Sequence, residues 1–83
     1  MSYKWLKKEL RIKYGRKCML CGRKLKEKQS TFHHIVPKSR GGEATEENGA
    51  VLCESCQNII HLFEYEDEGY QKLTKRILKN KRV

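Results

Sequence analysis

The sequence predicts a small α+β fold in which a pair of short strands and flanking helices are held together by a metal ion. Three observations support this prediction: the chain has only 83 residues, its four cysteines form two matched pairs, and its apolar spacing changes from helical to strand-like and back. A chain of this length buries too little apolar surface to be comfortably stable by its core alone. We therefore expect an additional stabilising element.

Both ends of the chain are predicted to be helical. Residues 2–14 form a basic amphipathic pattern that ends at Gly15, and residues 69–79 form a second amphipathic pattern. The apolar positions at helical spacing are Trp5, Leu6, Leu10 and Tyr14 in the first pattern and Tyr70, Leu73, Ile77 and Leu78 in the second. We expect these side chains to face the core and the basic residues between them to face solvent.

The middle of the chain is predicted to form two strands followed by a helix. Residues 31–36 are β-branched and aromatic and are followed by Pro37, which predicts a short strand. Residues 50–52 suffice only for a short second strand, and the polar residues 24–30 are predicted to be a loop. Residues 56–63 have the pattern of a helix with one apolar side. Its apolar residues are Ile59, Ile60, Leu62 and Phe63.

The net charge favours a polyanionic partner. Lysine and arginine number 19 against 10 acidic residues, which gives a formal charge of +9. Such a field attracts DNA, RNA or an anionic membrane surface and does not separate them. The alternative is that the charge serves solubility alone.

The chain lacks the apolar stretches of a membrane or secreted protein. No apolar run approaches the roughly 18 residues that cross a bilayer, and the first residues contain no signal-peptide stretch. We therefore expect a cytoplasmic protein with no membrane partner. In that compartment cysteines stay reduced, which favours metal ligation over disulfides.

The cysteines carry the strongest local signal. Cys18 and Cys21 have the same spacing as Cys53 and Cys56, and each pair can turn two thiolates onto one ion. Four thiolates complete a closed tetrahedral zinc site, which is structural and not catalytic. The alternatives are unligated core cysteines or a redox pair. Because the two pairs lie far apart along the chain, residues 1–83 are predicted to form a single domain.

The three histidines are the candidates for chemistry. His33 and His34 are neighbours on a predicted strand and must point to opposite faces. His61 follows Gln57 by four residues and would share its helix face. A histidine without further context is more often a packing or surface residue than a functional one.

The order of these motifs supplies that context. The segment HHIVPKSRGG at residues 33–42 is followed by Asn48, by LCESC at residues 52–56 and by His61. This arrangement resembles the HNH endonuclease family over about residues 18–63. The resemblance implies a ββα-metal core, in which a hairpin and a helix surround one divalent ion, with the cysteine zinc site and the terminal helices around it.

The resemblance also implies roles for individual residues. His34 would be the general base, His33 and His61 ligands of the catalytic ion, and Asn48 the residue that holds the loop and orients the base. Many family members carry a histidine directly after the last cysteine, where this chain has Gln57. An amide oxygen suits Mg²⁺ or Mn²⁺ better than Zn²⁺ or Ni²⁺.

These roles imply a single-metal hydrolysis of phosphodiester bonds. A neutral imidazole with an unperturbed pKa of about 6.5 can take the proton of the attacking water at neutral pH. A divalent cation (Mg²⁺, Mn²⁺, Ni²⁺ or Zn²⁺) would stabilise charge on the departing oxygen. The expected products carry a 5′-phosphate and a 3′-hydroxyl.

Basic residues near these motifs are candidates for nucleic-acid binding. Lys38 and Arg40 follow the first strand, where the glycines at 41 and 42 would also offer backbone N–H groups to phosphates. Lys7 and Arg11 on the first helix would extend the contact along the backbone. Aromatic residues could stack on bases, but at helical spacing they are more often core. They are Tyr3, Trp5, Tyr65 and Tyr70.

The sequence therefore leaves a leading interpretation and two alternatives. The leading one is a metal-dependent endonuclease, monomeric or homodimeric, with DNA a likelier substrate than RNA by resemblance. The second is an inactive zinc-stapled module that binds nucleic acid. The third is an interaction domain that uses the acidic residues 64–68 and the last helix.

Overall fold

The computed structural model of this chain describes residues 3–81. Its elements are α1 (Tyr3–Tyr14), β1 (Ser30–His34), β2 (Gly49–Cys53), α2 (Glu54–Ile60) and α3 (Glu68–Asn80), with single 3₁₀ turns at Glu27–Gln29 and Lys38–Arg40. β1 and β2 pair antiparallel. This arrangement confirms the predicted α+β fold with terminal helices.

The hairpin lies at the centre of the described residues. Every residue of β2 is buried, because α1 packs on it from one side and α2 follows it directly. The register places His33 opposite Ala50 and His34 opposite Gly49. Gly49 has no room for a side chain, since a Cβ there would lie 2.7 Å from the ring of Phe32. The pairing therefore fixes where both histidines leave the strand.

The strands differ from the prediction at their ends. β1 stops at His34, two residues before the predicted end, because the N–H groups of Ile35 and Val36 bond to Asn48 rather than to a strand. β2 is one residue longer at each end than predicted. The predicted loop 24–30 contains the turn Glu27–Gln29.

α1 packs through Leu6 and Leu10, which are 8% and 0% exposed. The prediction that Trp5 faces the core is wrong, since Trp5 is 64% exposed. Trp5 lies about 100° around the helix from Leu6 and shares a face with Ile12, two turns on. The predicted start at Ser2 and the side chain of Tyr3 lie outside the described part of the chain.

α2 begins earlier and ends earlier than predicted. Cys53 caps it, because the Cys53 sulfur accepts a hydrogen bond from the backbone N–H of Cys56. The helix ends at Ile60, its one buried residue among the four predicted apolar positions, and His61 is the C-cap. Leu62 lies beyond the helix and is 82% exposed. The cap at Cys53, rather than the apolar pattern, marks the start of this helix.

α3 buries one stripe made of Tyr70, Thr74 and Ile77. Leu73 packs partly against the core, as predicted. The prediction that Leu78 faces inward is wrong: it is 46% exposed, one residue beyond the buried stripe. None of the helices in residues 3–81 has the length and hydrophobicity to cross a membrane.

Ile77 and Leu78 are neighbours on α3, and a substitution at each of them tests this packing. We expect Ile77→Ala to lower the free energy of unfolding by about 2–5 kcal/mol, because it leaves a cavity in the core. Leu78→Ala should lower it by less than about 1 kcal/mol, as for other exposed positions. Urea denaturation with zinc present measures both values, and equal losses would contradict the orientation of the helix.

Candidate metal centres and catalytic cleft

The four cysteines come together although they lie on different elements. Cys18 and Cys21 are in the turn after α1, Cys53 ends β2, and Cys56 is in the first turn of α2. Their sulfur atoms all lie within 4.8 Å of one another. The Cys21 and Cys53 sulfurs are 3.8 Å apart, which is about the separation that tetrahedral Zn–S bonds of about 2.3 Å require. The group therefore fits a structural zinc ion.

Backbone N–H groups donate hydrogen bonds to the Cys18 sulfur and favour its charged thiolate form. The N–H groups of Leu20 and Cys21 donate to the Cys18 sulfur at 3.4 Å each. Burial raises the pKa of the Cys18 thiol, but these bonds outweigh it and lower the pKa to about 7. Burial raises the pKa values of Cys21 and Cys56. Metal binding must therefore displace protons from these two thiols.

The histidines line a cleft of about 300 Å³. His33 comes from β1, His61 from the end of α2, and their ring centroids are 5.8 Å apart. Ligand nitrogens lie about 2.0–2.1 Å from a bound divalent ion, so two rings at this separation can share one ion. The remaining lining residues include Phe32, His34, Pro37, Lys38, Gln57, Phe63, Tyr65 and Tyr70.

His33 is held in its neutral form. It is only 3% exposed. Burial, followed by the neighbouring His61 and His34, lowers the pKa of His33 to about 4. At neutral pH the ring therefore carries one proton, and its other nitrogen keeps a lone pair that a cation could bind. A buried neutral imidazole facing a cleft is suited to metal ligation.

Gln57 lies on α2 one turn before His61 and also lines the cleft. Its carbonyl oxygen Oε1 is buried and accepts no hydrogen bond from any of residues 3–81. A buried amide oxygen without a donor is costly unless something else binds it. Gln57 therefore combines a position in the lining of the cleft with an oxygen that lacks a donor among the described residues. An amide oxygen is a ligand that hard cations accept.

Tyr70 is a residue of this cleft that the sequence did not indicate. Its hydroxyl donates to the carbonyl of Ile35 at 2.8 Å and lies 3.2 Å from Nε2 of His33. Burial raises the pKa of Tyr70 to about 12. No local pattern could reveal this contact, because the two side chains are 37 positions apart. The prediction that Tyr70 is a core residue is confirmed, with this polar end added.

Asn48 closes the long loop between the strands. Its side chain accepts a hydrogen bond from the N–H of Val36 at 2.8 Å and donates to the carbonyls of Val36 and Glu43. Gly42 lies against this clamp, where any Cβ would collide with the Val36 carbonyl. The clamp therefore fixes the backbone two residues after His34.

Lys81 secures the same loop from the end of α3. Its ammonium group donates to the carbonyls of Glu46 and Gly49, both at 2.7 Å, and to that of Glu47. Burial lowers the pKa of Lys81. The residues on either side of Asn48 are thus tied to the last helix.

His34 lies half-buried at the end of β1 and lines the cleft. The edge of its ring meets that of Phe32, with centroids 5.1 Å apart. These two side chains share one face of the strand, while His33 points from the other, as the strand periodicity predicted.

Residues 18–62, more than half of the chain, match the family model of the HNH endonuclease. The chain belongs to the HNH endonuclease family. No curated protein matches it. The match covers both cysteine pairs and the histidines, and a nuclease or nucleic-acid-binding role follows for this HNH protein.

The residues of this HNH protein that were predicted to contact nucleic acid differ in whether they already bind other groups of the chain. Lys38 is exposed at the rim of the cleft, whereas Arg40 forms an ion pair with Glu66. Lys7 donates to the carbonyl of Ser30 at 3.0 Å and Arg11 to that of Leu25 at 3.0 Å. These bonds join α1 to the segment before β1.

The turn at Gly41 and Gly42 was predicted to offer backbone N–H groups to phosphates. The N–H groups of Gly41 and Gly42 donate to the carbonyls of Lys38 and Pro37. They are therefore occupied within the turn, and the expectation that they contact a phosphate is wrong.

Removal of the metal from this HNH protein should unfold it. Zinc ligation in small domains contributes on the order of 10 kcal/mol, more than a core of this size can replace. We expect a strong chelator to abolish the helical circular dichroism signal and Cys56→Ala to purify without zinc. Ser55→Ala, the exposed neighbour, should bind one zinc per chain and stay folded. A metal-free chain with a cooperative unfolding transition would contradict the structural role of zinc.

Proposed function

We propose that this protein is a metal-dependent endonuclease that hydrolyses DNA phosphodiester bonds, with His34 as the general base. The observation that carries the proposal is that His33, which burial keeps neutral, lines one cleft together with His61, Gln57 and His34. Family membership supports the same reaction class. The products would carry a 5′-phosphate and a 3′-hydroxyl.

His33, His61 and Gln57 would hold the catalytic cation. The set of imidazoles and an amide oxygen fits a divalent ion such as Mg²⁺, Mn²⁺, Ni²⁺ or Zn²⁺. When bound, such an ion supplies positive charge that polarises the scissile phosphate and stabilises the departing 3′ oxygen. The cysteine site is closed and would supply no chemistry.

His34 would take the proton of the attacking water. The side chain of His34 leaves the strand on the face opposite to that of His33. The two rings therefore reach the cleft from different directions, and His34 need not be a ligand of the same ion. Asn48 would orient His34, because the hydrogen bonds of the Asn48 side chain to Val36 fix the backbone two residues after the base. Lys38 at the rim would bind the phosphate backbone and position the scissile bond.

Tyr70 supports the ligand role of His33. The Tyr70 hydroxyl donates to the Ile35 carbonyl at 2.8 Å, so we infer that its oxygen accepts a hydrogen bond from His33. Nε2 of His33 then carries the ring proton, and Nδ1 keeps the lone pair that a cation needs. Tyr70 would therefore be a positioning residue that selects the tautomer of a metal ligand.

The role of His34 as the general base is tested by measuring the nicking of supercoiled plasmid DNA in the presence of Mg²⁺, Mn²⁺ or Ni²⁺. We expect His34→Ala to abolish cleavage while its zinc content and circular dichroism spectrum stay unchanged, because only the proton acceptor is lost. Ser39→Ala, an exposed residue of the same loop, serves as the matched control and should cut normally. Equal cleavage by His34→Ala and the parent would assign the activity elsewhere. DNA binding by the parent without cleavage under any divalent ion would support the binding module instead.

The role of Tyr70 is tested by metal affinity at the cleft. We expect Tyr70→Phe to weaken binding of the second divalent ion by about 10–100-fold, the usual effect of losing a partner of a ligating histidine. Calorimetric titration of zinc-loaded protein measures this, and ¹⁵N spectra should show loss of the single His33 tautomer. Tyr65→Phe removes a neighbouring hydroxyl and should change neither. Unchanged spectra and affinity for Tyr70→Phe would refute the tautomer assignment.

A further inference from the structure

The outer face of α1 exposes a large aromatic side chain among cations. Trp5 is 64% exposed and Ile12, two turns later on the same face, is 60% exposed. They line a groove of about 510 Å³. Its charged lining residues include Lys4, Lys8, Arg16 and the acidic Glu27. An exposed aromatic ring beside several cations offers both a stacking surface and charge to a ligand.

This groove continues to the histidine cleft. A second groove of about 660 Å³ shares Lys4 and Glu27 with the first and adds Lys7, Lys28 and Phe32. Phe32 also lines the cleft with His34. The two grooves and the cleft therefore form one continuous surface, which we call the α1 track. It runs from Trp5 past Phe32 to the proposed site of cleavage.

The charge of the α1 track selects the class of partner. Glu27 is the one acidic residue among the described residues that line the two grooves. Besides Lys7 and Arg11, which donate to backbone carbonyls, the lining cations come from α1, the turn after it and the segment before β1, and they are Lys4, Lys8, Arg16 and Lys28. A polyanion gains from neutralising such a row of cations through the release of its counterions. A nucleic-acid backbone is such a polyanion, and the aromatic ring of Trp5 in the same groove adds a contact for a base.

We propose that the α1 track binds an unpaired nucleic-acid strand beside the scissile phosphate, with one base stacked on Trp5. The bases of a duplex cover one another and present only their edges in the grooves. A tryptophan ring on an open surface can stack only on a base whose face is free. The preferred substrate is therefore DNA with a single-stranded segment next to the duplex. This inference deepens the proposed nuclease function and depends on it for the site of cleavage, but not for binding.

Trp5 is the single tryptophan of the chain, so its fluorescence reports directly on this contact. The experiment uses zinc-loaded His34→Ala protein, which should bind without cutting. Labelled DNA with a single-stranded overhang is compared with a blunt duplex of the same paired sequence. We expect the overhang to quench Trp5 and to bind more tightly than the blunt duplex.

The substitution series separates stacking from charge. Adding Trp5→Ala should weaken overhang binding by about 5–150-fold, the range for loss of one stacked base, and should leave blunt-duplex binding unchanged. Trp5→Phe should retain most of the affinity. Leu78→Ala removes an exposed apolar residue on α3 and should have no effect.

Three outcomes would overturn the proposal. The first is equal overhang affinity with and without Trp5, and the second is unchanged fluorescence at saturating strand. The third is a change in Trp5 emission that depends on protein concentration without DNA, which would identify the face as a contact between copies of the chain.

The two proposals fail in distinguishable ways. If the parent cuts no DNA with any divalent ion but the strand still quenches Trp5, the nuclease assignment fails and the α1 track stands. If the parent cuts DNA while Trp5→Ala binds overhangs unchanged, the α1 track fails alone.

Discussion

The meeting of four cysteine sulfurs is the constraint on which the rest of the structure depends. It joins the turn after α1 to the junction of β2 and α2, so one zinc ion bound there would fix segments that a small core holds poorly. Cys53 serves twice, since its sulfur also caps α2. The helix that carries Gln57 and His61 therefore starts where the metal ligands require it to start.

A second set of polar contacts fixes the other half of the cleft. Asn48 clamps Val36, Lys81 holds the carbonyls around Asn48, and Tyr70 reaches both Ile35 and His33. α3 thus acts on the cleft from outside the region that matches the family model. The proposed tautomer of His33 would therefore depend on a helix that lies outside the matched residues 18–62.

Some of the cationic side chains bind other groups of the fold, and others line its surface. Arg40 pairs with Glu66, and Lys7, Arg11 and Lys81 donate to backbone carbonyls, so these cations organise the fold. Glu66 lies in the acidic segment 64–68, which the interaction-domain alternative needs as a docking surface, and its charge is engaged within the chain. Net charge therefore indicates the class of partner, but the structure decides which cations are placed to meet it.

The sequence by itself determined the features that have a fixed local spacing: the cysteine pairs, the opposed faces of His33 and His34, and the order of elements in the hairpin and helices. Only the tertiary structure decided which face of an amphipathic helix is buried, as Trp5 and Leu78 show, because adjacent residues differ by about 100° and the period does not say where the stripe lies. It also decided the contact of Tyr70 with His33, since a hydrogen bond between distant segments depends on how helices pack and leaves no local pattern.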